Sequence, residues 1–96
     1  PAYFFLFMQA IAEEAEAMGF SPEQARLLVQ QTALGAAAMV EQNPELALQT
    51  LREQVTSKGG TTAEAIKTFQ QQGLMPLTAQ AMQAAVARAT EMETLF

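Results

Sequence analysis

Residues 3–8 read Tyr-Phe-Phe-Leu-Phe-Met, six large apolar side chains in succession. On a helix of 3.6 residues per turn they point to every side. A helix that is apolar all round is buried all round. A second stretch makes the same demand, because nothing between Thr32 and Val40 carries a charge. A folded chain of 96 residues keeps roughly 5,000 Å² exposed, and its core is modest. Half of the residues are hydrophobic, which is generous for so small a body. The sequence therefore predicts helices covered by a partner subunit.

The apolar opening is expected to be neither a leader nor a membrane span. It has no basic start and no cleavage region. Glu13 and Glu14 interrupt it well before the ~20 apolar residues that a bilayer requires. Because the first residue is Pro1, the chain reads as cut from something longer.

The formal net charge is −5, and the basic residues are only Arg26, Arg52, Lys58, Lys67 and Arg88. They form no basic stripe that could neutralise phosphates, so nucleic acid is not expected as a partner. An anionic membrane surface is not expected either. The absence of Cys removes disulfides, thiolate catalysis and sulfur-ligated metals. The absence of His removes imidazole acid–base chemistry. A cytoplasmic setting is the expectation.

Five helices can be traced, and the fold class is all-α. Helix one is expected from about Ala2 to Met18, stopped by Gly19. Ser21-Pro22-Glu23-Gln24 starts helix two. Ser21 caps, Pro22 takes the first helical position and Gln24 completes a capping box. This helix runs to about Gln42. Gly35, costing ~1 kcal/mol relative to Ala, suggests close approach by another helix. Asn43-Pro44-Glu45 repeats the cap-and-proline pattern for a short helix three ending near Gln54. Helix four is expected from about Thr62 to Gln72, with Ala65, Ile66 and Phe69 inward and Gly73 as its stop. Pro76 opens helix five, which runs to about Glu93 with Ala79, Met82, Val86 and Ala89 at helical spacing.

The stretch "VTSKGGTTAEAI", residues 55–66, places two glycines and four hydroxyls before a helix. It is not a phosphate loop, because G-x-x-x-x-G-K-[ST] is absent and no strand precedes it. The chain contains no G-x-G-x-x-G. Two readings stay open on the chemistry alone. The first turn of a helix has unpaired N–H groups and about half a positive charge, so a carboxylate or phosphate could sit there. Alternatively, Thr61 caps the helix, Glu64 completes Thr-x-x-Glu, and the glycines only turn the chain. Lys58 could steer an anion or be an ordinary exposed lysine.

Other candidates have simpler explanations. Glu13, Glu14 and Glu16 suit a solvated helix face better than a metal site, and no metal is expected. The methionines suit core filling as well as a promiscuous groove. Tyr3 fits packing better than a catalytic phenol.

Read together, "PAYFFLFMQAI", "MGFSPEQARLLVQQTALGAAAMV", "VTSKGGTTAEAI" and "GLMPLTAQAMQAAVARATE" closely resemble the C-terminal domain of the pyrroline-5-carboxylate reductases. The resemblance covers nearly all of the chain. It implies that residues 1–96 are a helical dimerisation and substrate-binding domain, intertwined with its counterpart in a homodimer, with higher oligomers left open. It implies an N-terminal Rossmann domain, outside this chain, that holds NADPH or NADH. The implied reaction is reduction of 1-pyrroline-5-carboxylate to L-proline. Carried over from the family, Ser57, Gly59, Gly60 and Thr61 surround the substrate carboxylate. Thr62 matches the family threonine whose hydroxyl reaches the ring nitrogen. No cofactor-binding residue is expected within the chain, and the fragment alone is expected to be inactive. Two positions depart from the family: Lys58 stands where proline is frequent, and Gln9 where an acid is frequent. The rival expectation is a stand-alone helical dimerisation module with no ligand.

Overall fold

The computed structural model describes residues 1–95 and holds five helices. They are α1 Ala2–Ala17, α2 Pro22–Gln42, α3 Leu48–Gln54, α4 Thr61–Gln71 and α5 Leu74–Leu95. No described residue lies in a strand. The chain divides into two compact units, one spanning Pro1–Arg52 and the other starting at Glu53.

In the first unit, α1 and α2 form a hairpin. Met18 closes α1, and Gly19 follows at φ +111°, a left-handed conformation that glycine adopts without steric penalty. The Gly19 N–H donates to the Glu16 carbonyl at 3.0 Å and the Phe20 N–H to that of Ala15 at 3.1 Å. This pair of bonds is a Schellman motif, which satisfies carbonyls the helix end would leave open. The expected capping box of α2 forms in full. The Gln24 N–H donates to Ser21 Oγ at 3.1 Å, and the Ser21 N–H donates to Gln24 Oε1 at 3.0 Å.

The hairpin is held by small side chains. Ala25 is completely buried, Val29 is buried, and Ala33 is half-buried. On α1 the half-buried residues are Met8, Ala12 and Ala15. Each set recurs at three- to four-residue spacing, so each lies on one helix face. Alanine at the contact lets two backbones approach closely. The large side chains are left outside: Phe4 is 76% exposed, Phe5 65% and Leu34 62%. No residue of α1 is buried. Outside its own helix backbone, Gly35 has no described heavy atom within 4 Å of the position a Cβ would occupy, so no described residue makes the close approach anticipated there.

Helix three begins later than Asn43-Pro44 predicts. Asn43 is already engaged at the end of α2, where its Nδ2 donates to the Met39 carbonyl at 2.8 Å. Residues 43–46 form a single turn, closed by the Leu46 N–H on the Asn43 carbonyl at 3.0 Å. The helix starts only at Leu48 and buries Leu51 alone. Leu48 and Val55 are exposed.

In the second unit, α4 and α5 pack together around Gly73, which sits at φ +88°. Its N–H donates to the Gln70 carbonyl at 3.2 Å, and its own carbonyl accepts from Leu77 at 2.9 Å. One residue thus closes α4 and opens α5. Helix five therefore starts two residues before Pro76. Proline is tolerated at this third helical position because the first N–H groups of a helix lack intrahelical partners. Ile66 is half-buried, whereas Ala65 and Phe69 are exposed rather than inward.

Removing the Ser21 hydroxyl tests the α2 cap. Ser21→Ala should lower stability by about 1 kcal/mol, read as a shifted denaturation midpoint at unchanged m-value. An unchanged midpoint would mean that the bond from the Gln24 N–H to Ser21 Oγ contributes nothing.

Candidate functional site

The loop between α3 and α4 is built on one β-turn. The Gly60 N–H donates to the Ser57 carbonyl at 3.0 Å, closing Ser57-Lys58-Gly59-Gly60. Gly59, third in the turn, has φ +73°, and no described non-glycine residue has positive φ. This is type II geometry, which requires glycine at that position. Gly60 is needed for a different reason. Its backbone is extended, but an added Cβ would lie 3.2 Å from the Ser57 carbonyl oxygen and 3.3 Å from its Cβ. One glycine supplies conformation and the other supplies room.

The turn delivers the chain to α4 with its first N–H groups free. Gly60 is the N-cap and has no side-chain cap bond. Thr61 is therefore the first helical residue and does not act as the cap. Glu64 falls one position too far along to complete a capping box, so that alternative does not form. Its N–H makes the first helical bond, to the Gly60 carbonyl at 3.3 Å. The N–H groups of Thr61, Thr62 and Ala63 find no partner among the described residues. The hydroxyls of Ser57, Thr61 and Thr62 are likewise unbonded to any described residue, and all three residues are exposed. The loop thus brings Ser57, Gly59, Gly60, Thr61 and Thr62 into one short segment. Three convergent backbone donors and the positive end of the helix dipole make that segment suited to a small anion.

Ala63 is the donor that the sequence reading passed over. Its side chain carries no chemistry. Its N–H belongs to the set because Ala63 is the third residue of α4, one before the first intrahelical bond at Glu64.

The remaining candidates do not assemble into chemistry. Among the described residues no three acidic side chains group as a metal site. Tyr3 is 59% exposed on α1. No helix of the described residues is long and apolar enough to cross a membrane. The first unit does contain an open apolar trough of about 520 Å³ between α1 and α2, lined by residues such as Phe4, Phe7, Ile11, Leu28 and Val40.

Comparison with known proteins supplies the context for both features. A family profile described as pyrroline-5-carboxylate reductase dimerisation matches residues 1–92. The pyrroline-5-carboxylate reductase of Vibrio alginolyticus is 69% identical over 96 residues, covering all of this chain and 35% of that protein. The structure of a Coxiella burnetii pyrroline-5-carboxylate reductase superposes with a TM-score of 0.89 at 48% identity, covering 95% of this chain and 33% of that one. A Plasmodium falciparum pyrroline carboxylate reductase, solved with NADP bound, gives a TM-score of 0.90 at 28% identity, covering 96% of this chain and 35% of that one. The chain spans about a third of the length of the relatives it matches. It belongs to the pyrroline-5-carboxylate reductase dimerisation family.

Proposed function

We propose that this chain is the dimerisation and substrate-binding part of a cytoplasmic reductase that converts 1-pyrroline-5-carboxylate to L-proline with NADPH or NADH. The observation that carries this reading is the Ser57–Gly60 turn. It leaves the Thr61, Thr62 and Ala63 N–H groups unpaired beside three free hydroxyls, in a chain of this family.

The substrate is a five-membered cyclic imine bearing a carboxylate. In the proposed site the carboxylate accepts from the N–H groups at the start of α4 and from the Ser57 and Thr61 hydroxyls. That arrangement fixes one end of the ring. Thr62 then places its hydroxyl at the ring nitrogen. During reduction at the adjacent carbon, the nitrogen changes from an iminium to a basic amine. A hydroxyl can accept from the first and donate to the second, so one side chain serves both states. Holding a small ring at two points is an orientation effect, and orientation is a large share of what a protein adds to such a reaction.

The described residues do not fit the nucleotide itself. They contain no strand–glycine-turn–helix unit and no G-x-G-x-x-G, the elements with which a Rossmann fold holds a dinucleotide pyrophosphate. In this reading a preceding Rossmann domain holds it, and the nicotinamide supplies the hydride. We assign no step to that group. Fluorescence titration of the 96-residue chain with NADPH should accordingly show no binding. A micromolar Kd would contradict this division of labour.

The trough and the exposed aromatics of α1 fit a homodimer in which the second copy covers them. Contiguous apolar surface of this kind is rare on monomers. A second reading, a helical dimerisation module without a ligand, draws on the fact that the turn alone accounts for both glycines.

Kinetics on the complete reductase separate the two. Thr62→Ala and Thr62→Val should each lower kcat/KM by ~10- to 100-fold, about 1.4–2.7 kcal/mol of transition-state stabilisation. Ser57→Ala should mainly raise KM, because the carboxylate is held throughout the reaction. Melting temperatures should move little, since Thr62 is the second residue of α4 and its hydroxyl makes no cap bond. Normal kcat/KM in both Thr62 variants would leave the module reading.

A further inference from the structure

We propose that Lys58 supplies the charge that draws the anionic substrate to the α4 start, acting as a capture residue for the carboxylate site. The inference rests on the reading of the Ser57–Thr62 segment as that site.

Lys58 is the second residue of the type II turn closed between Ser57 and Gly60. Nothing in the backbone calls for a lysine there. The positive φ is carried by Gly59 and the tight approach by Gly60. The second position of such a turn accepts most residues and favours proline. What lysine adds is therefore its side chain. That side chain is exposed. It makes no ion pair or hydrogen bond with any described residue, although Glu53 and Glu64 are close in sequence. The ammonium is held on the turn between two of the anion-binding hydroxyl residues and is left unneutralised.

The surroundings make such a charge useful. The chain carries a formal net charge of −5, and Glu53 and Glu64 flank the loop in sequence, so the charges nearest the loop in sequence disfavour a carboxylate. Between Arg52 and Lys67 the only cation is Lys58. A unit charge about 8 Å from a carboxylate in water contributes a factor of ~2 in binding, and more where the local dielectric is lower. Such an interaction between exposed charges fades as salt shortens the screening length from ~30 Å at 0.01 M to ~3 Å at 1 M.

The test is steady-state kinetics of the complete reductase against ionic strength. Lys58→Gln should raise KM for 1-pyrroline-5-carboxylate about two- to fivefold at ~0.01 M salt, and the difference should vanish near ~1 M. Lys58→Arg should keep the low-salt KM. Lys58→Pro suits the turn and should match Lys58→Gln in KM, which separates charge from backbone shape. An unchanged KM in Lys58→Gln at low salt would overturn the proposal. So would an equal effect at every salt concentration, or an effect confined to the KM of the nucleotide. If Ser57→Ala and Thr62→Ala also behave as wild type, the carboxylate site itself fails. If those two are impaired and Lys58→Gln is not, only the role of Lys58 fails.

Discussion

The α1–α2 hairpin depends on apolar surface that its two helices do not cover. The contact between them uses the small side chains, with Ala25 completely buried. The large ones, from Tyr3 to Phe7 on α1 and Leu27, Leu28 and Leu34 on α2, stay open. Burying one such side chain contributes roughly 1.5–3 kcal/mol, so leaving many of them in water forfeits a stabilisation comparable to the whole folding free energy of a domain. Small residues inside and large ones outside is the inverse of a self-sufficient hairpin. It is the arrangement expected when the principal core forms between subunits, which accords with membership of a dimerisation family.

The α3–α4 loop obeys a more local constraint. A helix start is an anion site only if nothing in the chain already occupies its N–H groups. A serine or threonine cap would fill one of them. Here the cap is Gly60, which has no side chain to offer, and its crowding against Ser57 excludes a larger residue without adjustment. The turn thus keeps the helix start open and sets hydroxyls on both sides of it. The stability forgone at this cap is the counterpart of the binding capacity we propose for it.

Much of this was legible in the residues. Gly19 and Ser21-Pro22-Glu23-Gln24 announce the α1–α2 junction because stop and start are each encoded locally. Gly73 does the same for α4. Two expectations differ from the structure where one residue serves two neighbours. Asn43 looks like a cap for helix three but is committed to Met39 at the end of α2. Gly73 begins α5 as well as ending α4, so Pro76 is not the start. Of the two readings left open at the loop, the Thr61–Glu64 capping box does not form, since the cap falls on Gly60. The inward positions of α4 also misled, since Phe69 is 40% exposed. Periodicity identifies an apolar face but does not say whether the same chain or another covers it.

The mass of the 96-residue chain in solution tests most directly whether its exposed faces are a subunit interface. Sedimentation equilibrium at micromolar concentration should give a dimer, twice the 10.4 kDa of the chain, with an obligate interface of more than ~2,000 Å². Substituting Phe4 and Leu28 together with glutamine should shift it toward monomer. A monodisperse, folded monomer of 10.4 kDa from the unsubstituted chain would contradict the account.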